Sequence, residues 1–134
     1  MQNIHWLEYI ELNEVTNFSQ PAFTGFSKLS YVSMPKYSSV FDGGLFMNCS
    51  SLSAISLPNV SYIGAITFMG CTSLKEVYLM SSSMVTVGGG NTAFSSTPIA
   101  SGNGSIYVPS ALVDSYKSNS SWALVVPSTV FVGV

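Results

Sequence analysis

The chain has 134 residues, of which 47% are hydrophobic and 7% charged, with four lysines, six acids and a formal net charge of -2. That length fits one domain or one fragment of a larger protein, and so apolar a composition excludes a charge-solvated disordered chain. With no arginine at all, the basic patch that would neutralise a phosphate backbone is missing, so no nucleic-acid partner is expected.

The start, Met1-Gln2-Asn3-Ile4-His5-Trp6, has no basic segment followed by an apolar one and does not read as an export signal, which fits a trimmed exported protein as well as a virion protein. Gly, Pro, Asn or Ser then interrupts every apolar stretch well before the roughly 20 residues of a spanning helix, and no membrane insertion is expected. From Leu7 onward the chain is repetitive. Leu-x-x-Ile-x-Leu recurs as Leu7/Ile10/Leu12, Leu29/Val32/Met34, Leu52/Ile55/Leu57 and Leu74/Val77/Leu79, with leading leucines 22, 23 and 22 residues apart. Phe23, Phe46, Phe68 and Phe94 form a second column in the same register, and Phe26, Cys49, Cys71 and Thr97 a third. Two weaker columns read Val15/Tyr37/Val60/Ser82 and Phe18/Val40/Ile63/Val85. A unit this short cannot close a core, so its columns must bury against the same columns of its neighbours, which makes a solenoid.

Within each unit the Ile and the last Leu stand two apart, the period of a strand with that face inward. Stacked rungs then pair in parallel, about 4.8 Å apart. Pro35, Pro58 and Pro109 each follow the last apolar strand residue, where a missing N–H costs little, and read as strand stops. After Val85 the pattern loosens, and Gly88-Gly89-Gly90-Asn91 marks an insertion. Ile106-Tyr107-Val108-Pro109 restores the strand and its stop. Ser110 to Ser118 reads as a short helix, with Ser110 as N-cap, Leu112, Val113 and Tyr116 as its apolar side and Lys117 in its last turn. Trp122 and the run from Val125 to Val132 are expected to fold over the last rung. Residues 1–134 thus read as one solenoid domain, with repeats over 1–105 and a C-terminal cap over 106–134. The seven positions Leu29, Phe46, Ile55, Leu57, Phe68, Val77 and Leu79 are expected to be fully buried.

Phe46-x-x-Cys49-x-x-Leu52-x-x-Ile55-x-Leu57-Pro58-x-Val60-x-x-Ile63-Gly64, followed by Phe68-x-Gly70-Cys71-x-x-Leu74, resembles the BspA-type leucine-rich repeat. Ile106 to Pro109, Tyr116-Lys117 and Trp122 are similar to the C-terminal caps of such arrays. The resemblance covers roughly Leu7 to Val134 and departs at Phe26, which stands in the cysteine column, and at the glycine insertion. It implies a mostly β leucine-rich-repeat solenoid of about five rungs with a parallel sheet and a short C-terminal capping helix. It also implies a surface adhesion module, on gut or oral bacteria, protists or phage-derived proteins.

Few residues suggest chemistry. Cys49 and Cys71 fall one rung apart, within the roughly 4.4 to 6.8 Å that permits a disulfide; small buried hydrophobes in a column are the favoured reading and a disulfide the alternative. The single histidine, His5, lies far in register from any nucleophile, so no triad is expected. Glu8 and Glu11 fall at outward strand positions and Glu14 in the next turn, a solvated rim rather than a paired-carboxylate site. The glycine run lacks the Lys-Ser/Thr and helix of a phosphate loop. Five Asn-x-Ser triplets, at Asn17, Asn48, Asn59, Asn103 and Asn119, carry little weight in a serine-rich chain. No catalytic, cofactor-binding or metal-binding residue is assigned, and no enzyme activity is expected.

The outward columns say more. One reads Tyr9, Tyr31, Ala54, Glu76 and Ser105, and the other Glu11, Ser33, Ser56, Tyr78 and Tyr107. Tyrosines on a flat sheet stabilise it by cross-strand pairing or serve as contact residues for proteins and glycans. Tyr9, Tyr31, Tyr78 and Tyr107, with Glu11 and Glu76, are the candidate ligand face. Its expected partner is a surface protein or glycan of a host or neighbouring cell, and its expected place is extracellular or on a cell surface. The alternative is a structural block of a virion tail or surface assembly, stacking through Ile4, Trp6, Leu7 and Phe18 on an upstream domain or a second copy.

Overall fold

Each Leu-x-x-Ile-x-Leu motif contributes one short strand, and the strands stack in the order of the repeats. The computed structural model describes residues 6–16, 22–38, 44–88 and 90–134. In chain order the strands are β1 (Tyr9–Glu11), β2 (Tyr31–Ser33), β3 (Ala54–Ser56), β4 (Tyr62–Ile63), β5 (Glu76–Tyr78), β6 (Thr86–Val87), β7 (Ser105–Val108) and β8 (Phe131–Gly133). Two short helices, α1 (Val113–Lys117) and α2 (Ser120–Ala123), lie between β7 and β8. Among the described residues the main sheet has six strands in the order β1-β2-β3-β5-β7-β8, all neighbours parallel. Four of them come from the Leu-x-x-Ile-x-Leu repeats, β7 from the restored strand where the cap begins, and β8 from the end of the cap. One residue of each strand points inward in register, so Ile10, Val32, Ile55, Val77, Ile106 and Phe131 form one ladder, all buried.

The opposite wall of the coil is built by turns. Phe-x-x-Cys-x-x-Leu is a period of three, and the backbone follows it: Cys49 N donates to Phe46 O (3.2 Å) and Leu52 N to Cys49 O (3.1 Å), as Cys71 N does to Phe68 O (3.0 Å) and Leu74 N to Cys71 O (3.1 Å). These i→i+3 turns eclipse the three side chains on one inward face. The residue two beyond each phenylalanine takes a positive φ: Gly25 (78°), Asn48 (62°), Gly70 (82°) and Ser96 (63°). Glycine and asparagine suit that conformation. At Gly70 a second demand applies, because an added Cβ would collide with the Asn48 side chain in the rung before. The same turns are laddered between rungs, by Gly25 N to Met47 O (2.8 Å), Asn48 N to Met69 O (2.8 Å) and Gly70 N to Ser95 O (2.9 Å).

Inside, the phenylalanines form a pillar. Phe23 stacks on Phe46 (centroids 5.5 Å, 6° between planes), Phe46 on Phe68 (5.9 Å, 3°) and Phe68 on Phe94 (5.3 Å, 27°). Trp122 ends the pillar, 6.0 Å from Phe94, and packs edge-on against Tyr116 and Phe131. All seven positions expected to be buried are so, none above 1% exposed.

The insertion corrects one column. Ile63 of β4 pairs with Val87 of β6, not with Val85, and Tyr62 with Thr86, forming a second sheet of two strands. Six residues separate Leu57 from Ile63 but eight separate Leu79 from Val87, and five separate Ile63 from Phe68 but seven Val87 from Phe94. The insertion is therefore split on either side of β6, and only its second half is the glycine run. Ser82 is exposed, while Met84, two residues on, packs against the core in its place. Val85 is displaced from the rung pattern yet fully buried, and the cap satisfies its backbone. Its N–H donates to the Tyr116 hydroxyl (2.7 Å), and its carbonyl accepts from Trp122 Nε1 (2.8 Å).

The cap departs from expectation at Ser110. Residues 110–112 form a 3₁₀ turn with no side-chain cap, and α1 begins at Val113. The Ser110 hydroxyl and N–H both donate to the Val134 carbonyl (2.9 and 3.0 Å), holding the chain that leaves β8 instead of capping a helix. A true N-cap sits at Asn119, whose Oδ1 accepts from Ser121 N and Trp122 N (3.0 Å each) and so fixes Trp122. Truncating the middle of the pillar, Phe68→Ala, is expected to cost about 3 to 5 kcal/mol in urea unfolding, because neighbours held by two ladders cannot collapse into the gap.

Candidate functional site

The strand face is set by the alternation that buries its opposite side. With Ile10, Val32, Ile55, Val77 and Ile106 inward, the residues on either side of each must point out. The four tyrosines do not form one continuous stripe. Tyr9 stacks on Tyr31 (centroids 5.0 Å, 15°) across β1 and β2, and Tyr78 on Tyr107 (4.7 Å, 14°) across β5 and β7. Between the pairs runs β3, with only Ala54 and Ser56 outward, beside Ser33 of β2. Tyr9 and Tyr31 are 52% and 36% exposed, while Tyr78 and Tyr107 are half-buried. Val132 of β8, opposite Tyr107, extends the second column beyond the repeats. Sequence reasoning missed it because the cap's apolar run carries no repeat spacing to give its register.

Each pair has a carboxylate on the same strand, two residues away. The Tyr9 hydroxyl donates to Glu11 Oε1, and that hydrogen bond first, with burial and the Glu11 charge behind it, pushes the phenol up to about 12. The Tyr78 hydroxyl donates to Glu76 Oε2 (3.1 Å), and Tyr78 is likewise held above its ordinary value, by desolvation first and then by Glu76. Cross-strand stacking and display to solvent therefore coexist in the same rings.

The remaining candidates lie elsewhere. Glu8 is exposed, and Glu14 pairs with Lys36 at 2.8 Å on an exposed part of the surface. Trp6 is 68% exposed at the first rung, and Leu7 is half-buried against the core. Ile4, His5 and Phe18 lie outside the described residues. Cys49 and Cys71 are free thiols, fully buried. Each donates to the phenylalanine carbonyl one rung back, Cys49 Sγ to Phe23 O (3.0 Å) and Cys71 Sγ to Phe46 O (3.1 Å), so the column serves as a hydrogen-bonded core and not as a disulfide. Among the described residues no group of three or more His, Cys, Asp or Glu is placed to hold a metal ion, and no helix is long and apolar enough to cross a membrane.

The family model described as BspA type Leucine rich repeat region matches residues 2–117 in six copies. No curated protein and no solved structure matches the chain.

Burial pushes both thiols up to about 12 from an ordinary value of 9.0. A weak acid whose folded value is raised stabilises the fold below its unfolded value, and that contribution is lost as pH rises from about 9 toward 12. Neither cysteine is expected to react with a soluble thiol reagent at pH 8 in native protein, and both are expected to react in denaturant. The urea midpoint should hold steady from pH 6 to 8 and fall above 9.

Proposed function

The chain belongs to the BspA-type leucine-rich repeat family, and from that premise we propose that it is a binding module that engages a protein partner through its strand face. Repeats of this family are generally non-enzymatic binding scaffolds, typically associated with cell surfaces, and adhesion at such a surface is the biological setting proposed here. The observation that carries the reading is the pair of stacked tyrosine couples on a sheet whose other face is fully buried. Large amphipathic rings are costly to leave in water, and these are preorganised by stacking, so little side-chain entropy remains to be lost on binding. A second reading, assembly through the first rung, draws on the exposed Trp6 beside the edge strand β1.

A binding screen on arrayed extracellular proteins and glycans identifies the partner class. In that assay the triple variant Tyr31→Ser/Tyr78→Ser/Tyr107→Ser is expected to lose binding. Its stability should fall by only about 1 to 3 kcal/mol, the worth of the lost stacking. Retained binding in the triple variant contradicts the strand-face reading, and loss confined to Trp6→Ser favours assembly through the end.

A further inference from the structure

We propose that the slot over β3, walled by Tyr31 on β2 and by Tyr78 and Glu76 on β5, receives the cationic side chain of an arginine or lysine from the protein partner. The inference rests on the strand face being the binding surface, and adds the chemistry that surface selects. The register makes the slot. Tyr31, Ala54 and Glu76 are successive members of one outward column, and Ser33, Ser56 and Tyr78 are successive members of the other. Ala54 and Ser56 are therefore a floor of short side chains between taller walls.

Stacking sets which way the rings face. Tyr31 lies against Tyr9 with 15° between planes, so its second face turns along the solenoid axis toward β3. Tyr78 lies against Tyr107 with 14° between planes, so its second face turns back toward β3 from the other side. The walls stand two strand spacings apart, about 9 to 10 Å between backbones. A cation within about 6 Å of a ring centroid, with an N–H···O contact of about 2.8 Å to a carboxylate, spans that width. Across the column from Tyr31 the carboxylate is Glu76, which is exposed and accepts the Tyr78 hydroxyl at 3.1 Å. One such bond leaves further lone pairs for a partner donor.

Charge points the same way. Neither outward column contains a lysine. Lys36 is paired with Glu14, Lys28 and Lys117 belong to a turn and to α1, and Lys75 stands exposed just before β5, in the separate column of Glu8, Ser30 and Ser53. The two outward columns thus offer aromatic rings and carboxylates with no cation among their own members. A neutral sugar also stacks on tyrosine and can donate a hydroxyl to the carboxylate, but the Coulomb attraction of Glu76 is added only for a positive group.

The test uses N-acetyl-arginine amide as probe and its neutral isostere N-acetyl-citrulline amide as control, followed through the Ala54 methyl and the Tyr31 and Tyr78 ring signals by NMR. Arginine amide is expected to give saturable shifts at these three residues below about 100 mM, with citrulline amide at least roughly tenfold weaker. Glu76→Gln should weaken arginine at least roughly tenfold, and Ala54→Leu, which fills the floor, should abolish it. Equal shifts from citrulline, absence of a saturable shift from arginine, or indifference to both substitutions overturns the proposal. The screened partner separates this from the broader reading. Binding lost in the triple tyrosine variant but kept in Glu76→Gln and Ala54→Leu defeats the cation slot alone, whereas binding kept in the triple variant defeats the strand-face reading itself.

Discussion

A phenylalanine ring can stack on its counterpart one rung away only if both rungs return the chain to the same place, and that return is what holds this molecule together. Phe23, Phe46, Phe68 and Phe94 stack in series at 5.3 to 5.9 Å. Backbone ladders on both walls hold that geometry, and the left-handed turn residue beside each phenylalanine lets the chain reverse without moving the ring. No rung buries its own residues alone, so stability is shared along the stack.

The outward face inherits its order from the inward one. Because strand side chains alternate, the register that buries Ile55 against Val32 and Val77 also aligns Tyr31, Ala54 and Glu76 on the other side. A slip of one residue would bury tyrosines and expose the core. The outward face is therefore held as firmly as the core that opposes it, and two stacked tyrosine couples flanking a low floor are a fixed relief on it.

The repeat, the inward columns, the proline stops and the outward tyrosines could be read from the sequence because each rests on a strict spacing. The position of the insertion could not. Val85 and Val87 are both apolar, two apart and both buried, so hydrophobicity gives no reason to prefer one opposite Ile63. Only the backbone separates them: Val87 has a rung partner, while Val85 needs Tyr116 and Trp122. Ser110 misleads for a related reason, since a serine after a strand-ending proline suits a helix cap as well as it suits a tie to the last strand. The candidate face was legible residue by residue, but its division into two couples depended on stacking, which spacing does not encode.

Pillar and cap form one cooperative unit, joined through the backbone of Val85, and on that claim the rest depends. Native-state hydrogen exchange at the Val85 amide tests it most directly, because that N–H sits in an inserted segment and is held by the Tyr116 hydroxyl. If the unit is one, Val85 and Phe68 amides exchange with the same opening free energy, that of global unfolding. A Val85 amide exchanging at the rate of an exposed loop while Phe68 stays protected would contradict it.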